Sequence, residues 1–143
     1  MNAAPATEGG ELRERTALRD RATAAMEHAY APYSGFRVGA ALLGTDGSIT
    51  DGCNVENAAY PAGMCAERAA IAAAVTRGVR AFTAIVIVTE ADVPTPPCGM
   101  CRQVLVEFAP HLEVISITRG GAQARWSMSE LLPAAFTPTS MGR

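Results

Sequence analysis

The run Phe82–Thr89 (FTAIVIVT) constrains this chain more than any other segment. Ile85, Val86, Ile87 and Val88 are apolar and β-branched at successive positions. Side chains of a strand alternate between its two faces, so a strand apolar at consecutive positions must be covered on both. A sheet with one wet face is therefore excluded, and helices are needed on either side. Phe36–Leu43 has the same two-faced apolar character. The helices are available. Residues 11–29 set Leu18, Ala22, Ala25, Met26 and Ala29 on one face, with Arg and Glu opposite. Cys65–Arg77 consists of strong helix formers, with Gly78 just past its end as a cap. Gly99–Phe108 reads as a third helix, stopped by Pro110.

Between these, Thr45-Asp46-Gly47-Ser48 is a turn signal, and Ile49–Asn54 reads as the return strand of a hairpin. Residues 57–64, with Pro61 and Gly63, read as loop. Val114–Thr118 is a strand, Gly120-Gly121 a turn and Ser129–Leu132 a short helix. The order predicts an α/β fold, a three-layer α/β/α arrangement around a mixed central sheet of about five strands. The later strands should pair in parallel through right-handed crossovers, and the hairpin should add an antiparallel partner. With 143 residues and 49% hydrophobic composition, the chain is long enough for a core without disulfides. We expect one domain over residues 11–137, a flexible N-terminal tail over 1–10 and a C-terminal tail over 138–143.

All 12 basic residues are Arg, which excludes Schiff-base and phosphate-loop lysine chemistry. His28 and His111 are the only histidines, in polar or loop contexts without ligand-like spacing, and both should lie at the surface. The formal net charge of −2 supplies no footprint for nucleic acid. The opening MNAAPATEGG is no secretory signal, and no apolar run reaches membrane-spanning length, so a cytoplasmic protein is expected. Four cysteines in such a chain favour metal or redox chemistry over disulfides.

Cys98-Gly99-Met100-Cys101 opens one helix, and Cys65, followed by Glu67, opens another. Loops at the carboxyl ends of neighbouring strands converge in an α/β sheet, so two helix N-termini can aim three sulfurs at one spot. The positive helix ends favour thiolate there. Three cysteines without a fourth protein ligand make an open zinc site of the catalytic kind. Three thiolates leave a Zn²⁺ site with an excess negative charge, which Arg68 can offset by donating hydrogen bonds to sulfur. Glu67, in the first turn, can move protons. Two other readings share parts of the pattern. Cys98-x-x-Cys101 alone fits a dithiol oxidoreductase, and Cys53 as a fourth ligand would make a structural zinc site. The first leaves Cys65 and Glu67 unexplained; the second leaves Glu67 without a task. Cys53 otherwise reads as a buried strand cysteine.

Five ordered blocks carry a more specific resemblance. They are Pro32-Tyr33-Ser34-Gly35-Phe36-Arg37-Val38-Gly39-Ala40-Ala41-Leu42, Cys53-Asn54-Val55-Glu56-Asn57-Ala58, Cys65-Ala66-Glu67-Arg68, Pro97-Cys98-Gly99-Met100-Cys101-Arg102-Gln103-Val104 and Leu131-Leu132-Pro133-Ala134-Ala135-Phe136. Over about residues 11–136 the chain resembles the small homotetrameric zinc-dependent cytidine deaminases, whose zinc chemistry is a known deaminase pattern. The resemblance implies hydrolytic deamination of cytidine and deoxycytidine to uridine and deoxyuridine with release of ammonia, a step of pyrimidine salvage. It implies Zn²⁺ on Cys65, Cys98 and Cys101, and Glu67 as the proton carrier. It further implies that Phe36 stacks on the pyrimidine, Asn54 and Glu56 hold the ribose, and the Ala66 backbone binds the base carbonyl. Tyr60 would line the site near a subunit boundary, and Phe136 would reach a neighbouring subunit's site. The implied partners are a small nucleoside and further copies of the chain, with no nucleic acid and no membrane. Tyr60-Pro61-Ala62-Gly63-Met64 departs from the Tyr-Gly opening of many bacterial members.

Overall fold

A computed structural model describes residues 8–143. The first helix, α1, runs Glu8–Met26, displaced toward the N-terminus from the expected 11–29. Residues 8–10 thus belong to α1 rather than to a tail, and the rest of the expected tail lies outside the described residues. The helix ends early because the chain is drawn to the sheet: the Tyr30 N–H donates to Asn54 O at 3.0 Å. Strands β1 (Val38–Gly44) and β2 (Ile49–Cys53) form the hairpin. After a loop containing one 3₁₀ turn at Tyr60–Ala62 come α2 (Ala66–Thr76), β3 (Phe82–Thr89), α3 (Gly99–Phe108) and β4 (Glu113–Thr118). Gly78, with φ of 85°, terminates the α2 segment as its position suggests. A fifth strand, β5 (Gln123–Ser127), leads into α4 (Met128–Leu131), capped reciprocally by Ser127 and Glu130.

The sheet order is β2-β1-β3-β4-β5. Only β3 and β4 pair in parallel; β1 pairs antiparallel with both β2 and β3, and β5 antiparallel with β4. The expectation of later parallel strands therefore holds for one pair. The mixed five-strand sheet of the expected three-layer fold is present. Side-chain alternation along β3 splits the core as that strand demanded. Ile85 and Ile87 join Ala70, Ile71, Leu105 and Leu112 beneath α2 and α3, while Val86 and Val88 join Leu18, Ala22 and Met26 beneath α1. At about 1.5–3 kcal/mol for each large apolar side chain buried, β3 is the centre of both half-cores.

Topology also positions the site. Strands β2 and β3 run the same way with β1 inserted between them, so the cysteine-bearing loops leave alternate rather than neighbouring strands. Because β1 runs oppositely, its start lies at the end where β2 and β3 finish. Val38 thereby pairs with Thr89, and Gly39 with Cys53. No helix among the described residues is long and apolar enough to cross a membrane.

Candidate active site

Cys65 and Cys98 are the N-cap residues of α2 and α3, and neither side chain makes a capping hydrogen bond. Cys101 follows in the first turn of α3. The three sulfurs all lie within 4.8 Å of one another, and Cys65 and Cys98 are 3.8 Å apart. Tetrahedral zinc, with Zn–S of about 2.3 Å, holds its sulfurs about 3.8 Å apart. The donor set therefore fits zinc in spacing and in softness. Cys53 is outside this cluster, half-buried at the end of β2, so it is not a fourth ligand. His28 and His111 are both exposed, as expected.

The thiols are not equivalent. Cys65 is lowered to about 5, because Cys101 donates a hydrogen bond to it and the Arg68 guanidinium stands beside it. Cys101 is pushed up, since its proton is engaged by Cys65 and its surroundings are buried. Arg68 Nη2 lies 3.6 Å from Cys65 Sγ and 3.4 Å from Gly63 O. Arg68 is thus a cation beside sulfur with no carboxylate partner among the described residues.

Glu67 is only 5% exposed. Burial raises its carboxyl to about 6, its own backbone N–H works against this, and the Cys65 thiolate adds to the rise. It lines a hollow of about 230 Å³ together with Phe36, Val38, Asn54, Ala66 and Thr89. Cys65 and Cys98 border the same hollow. Ala66 lines the hollow and begins α2, so its N–H has no acceptor within the helix.

Asn54 joins the strands that meet here: its Oδ1 accepts from Val38 N and its Nδ2 donates to Phe36 O, both at 2.8 Å. This clamp replaces ladder pairing for Phe36, which the sequence suggested as strand and which lies just before β1. Glu56 Oε1 accepts from the N–H groups of Tyr33 and Ser34, both at 3.1 Å, which lowers its carboxyl from the ordinary value. A second hollow of about 500 Å³ adjoins the first, sharing Ser34, Asn54 and Cys65 with it, and Glu56 and Tyr60 line it. Tyr60 is 76% exposed and meets Tyr33 edge to face. Phe136 is 60% exposed and lines neither hollow; the Gln103 side chain donates to its carbonyl at 2.8 Å. The sequence reading did not single out Val38, Ile87, Thr89, Thr95 and Pro96 as cavity wall. The one available signal was a threonine ending an otherwise aliphatic strand.

Comparison with known proteins agrees with this geometry. Residues 12–117 match the family described as cytidine and deoxycytidylate deaminase zinc-binding region. A cytidine deaminase of Halalkalibacterium halodurans is 46% identical over 129 residues, which cover 90% of this chain and 98% of the relative. One from Sporosarcina psychrophila is 47% identical, with 79% and 84% covered. The crystal structure of cytidine deaminase from Burkholderia pseudomallei superposes with a TM-score of 0.82 at 49% identity, covering 85% of this chain and 98% of that one. That of Mycobacterium tuberculosis gives 0.74 at 39%, with 85% and 96% covered. With a buried glutamate and three converging cysteines at the matched positions, the chain belongs to the cytidine and deoxycytidylate deaminase zinc-binding family.

Proposed function

We propose that the protein deaminates cytidine and deoxycytidine hydrolytically, yielding uridine or deoxyuridine and ammonia. The observation that carries this reading is Glu67: a buried carboxyl, raised to about 6, lining the same small hollow as Cys65 and Cys98 of the cysteine cluster. A general acid–base is most effective when its pKa lies near the working pH. Zinc held by Cys65, Cys98 and Cys101 would supply a Lewis acid that activates water. Glu67 takes a proton from the attacking water and delivers it to N3 of the ring, then carries the second proton of that water, released from the new C4 hydroxyl, to the departing amine. Overall, water adds its oxygen at C4, the C4–N bond breaks and ammonia leaves.

The remaining assignments are those the family resemblance implies, supported by Phe36, Asn54, Glu56 and Ala66 all lining the two hollows. Phe36 stacks on the base, the Ala66 N–H receives its carbonyl oxygen, and Asn54 and Glu56 take the sugar hydroxyls. Arg68 tempers the negative charge of the thiolates. Tyr60 at the rim of the site and Phe136 outside it, both exposed aromatics, suit a homotetramer in which Phe136 completes a neighbour's site. The catalytic domain begins with α1 and runs to residue 137, with residues 138–143 as a C-terminal tail. A cytoplasmic role in pyrimidine salvage is in keeping with a small nucleoside substrate.

The test is an ultraviolet deamination assay on cytidine, deoxycytidine, free cytosine and a non-nucleoside aminopyrimidine, with metal analysis of the same sample. The expected result is turnover of the two nucleosides and about one zinc per chain. A metal-free protein that reduces disulfides and leaves every cytosine compound unchanged would sink the proposal.

A further inference from the structure

We infer that Arg102 is a positioning residue for the metal centre, tying the ligand loop ahead of α3 to α4 by its guanidinium fork. This rests on the zinc reading above. Arg102 Nε donates to Pro97 O at 2.7 Å, and its Nη1 donates to Leu131 O at 2.9 Å. Both acceptors are orphans. Pro97 is fully buried and precedes the cap residue Cys98, so its carbonyl lies outside the α3 ladder. Leu131 is the last residue of α4, whose terminal carbonyls have no partner within the helix. The loop has few donors of its own, because Pro94, Pro96 and Pro97 lack N–H groups.

A cap residue such as Ser or Asp anchors a helix start through its own side chain. Cys98 does not, and this leaves its sulfur available to a metal while removing the usual lock on the backbone that aims it. Arg102, from the first turn, supplies the lock from outside. The other metal-bearing helix uses the same device: Cys65 also makes no capping bond, and Arg68 reaches back to Gly63 O. Each ligand helix thus carries an arginine that folds back over the cap to a carbonyl preceding the cysteine. Arg68 also touches sulfur, whereas the recorded bonds of Arg102 go to carbonyls only, and it makes no ion pair among the described residues. Its contribution is therefore to geometry. Leu131 heads the segment that ends in Phe136, so the same fork joins the ligand loop to the chain leading to that aromatic.

The experiment is zinc competition with a chromogenic chelator on the native protein, Arg102→Met, Arg102→Lys and Gln103→Ala, with thermal melts alongside. Loss of a residue that orients metal ligands typically weakens metal binding by ~10–100-fold, and Arg102→Met is expected in that range. Arg102→Lys, which reaches one carbonyl but not both, should fall between it and the native protein. Gln103→Ala, which loses only the bond to Phe136 O, should hold zinc as the native protein does. Native zinc affinity in Arg102→Met overturns the inference even if its melting temperature falls, and so does an equal loss in Gln103→Ala. Should Arg102→Met fail to fold, Arg102→Lys decides: native affinity overturns, weaker affinity supports. A native protein that neither holds zinc nor deaminates cytidine would instead count against the function proposed above.

Discussion

Glu67 shows how a single residue acquires a task from its surroundings. A glutamate in the first turn of a helix is ordinarily a solvated neighbour of the positive helix end. Here the turn is pressed into the hollow at the sheet's end, and burial makes the charged form costly. Burial thereby raises the carboxyl toward the range in which a general acid–base is most effective. Glu67→Gln preserves size and polarity but cannot transfer a proton. Turnover should fall by at least ~10²–10⁴, the usual scale for a lost general acid–base, while zinc content and the melting profile stay near native. Deamination rates with metal analysis on the same preparation check this, and an unchanged rate would remove Glu67 from the mechanism. The role proposed for it is suggested by the sequence, because it stands two residues after a cysteine. Thr89 and Val38, which wall the same hollow, carry no chemical signal; only the register that sets them opposite each other reveals them.

At the scale of elements, close packing of helices on the sheet positions the ligands. A Cβ added to Gly52 would lie 2.5 Å from Ala70 N and 2.7 Å from Ala66 O, so the α2 backbone rests directly on β2. On the opposite face, a Cβ on Gly39 would come within 1.9 Å of Ala22 O. Either Gly→Ala change must push a helix away, costing about 1–3 kcal/mol or more. Both should lower the unfolding midpoint, but only Gly52→Ala displaces the helix carrying Cys65 and Glu67. Chelator competition and steady-state rates should therefore separate the pair: weaker zinc and slower turnover for Gly52→Ala, near-native values for the folded fraction of Gly39→Ala. A second link joins α1 to β2, where Arg21 Nε donates to Asp51 Oδ2 at 2.8 Å and holds that carboxyl below its ordinary value. A depressed carboxyl contributes stability above its unfolded pKa and loses it as pH falls through the folded value. Asp51→Asn should thus cost ~0.2–1 kcal/mol at neutral pH, since the pair is partly exposed, and the deficit should vanish in urea melts near pH 2. Most elements could be read from pattern: β3 from its apolar run, α2 from its formers and Gly78. The strand β5 was not read, because Gln123-Ala124-Arg125-Trp126-Ser127 alternates polar and apolar over only five residues, with just Ala124 and Trp126 half-buried. The insertion of β1 between β2 and β3 was equally hidden, since pairing partners depend on contacts distant in sequence.

For the whole molecule, the question is what one chain leaves incomplete. Glu67 and the residues proposed to hold base and sugar, Phe136 apart, line two adjoining hollows of a single copy. Phe136 does not reach them, yet it is a large aromatic left 60% exposed on a segment fixed to α3 through Gln103. A rigidly held, exposed aromatic is suited to contact made between chains. If Phe136 packs on substrate in a neighbour's site, Phe136→Ala should reduce kcat/KM by about 2–10-fold, the worth of one aromatic contact, without loss of zinc. A stronger test mixes chains. Glu67→Gln chains retain Phe136, and Phe136→Ala chains retain Glu67. In a mixed assembly, some sites combine the intact glutamate of one chain with the intact aromatic of the other. After dissociation and reassembly of a mixture, the rate per Phe136→Ala chain should rise above that of Phe136→Ala alone. If each chain works by itself, the mixture shows only the average of its components, since every Glu67 still lacks an aromatic in its own chain. The same samples, sized by light scattering, report the number of copies, so a monomer would exclude both the tetramer and the shared site.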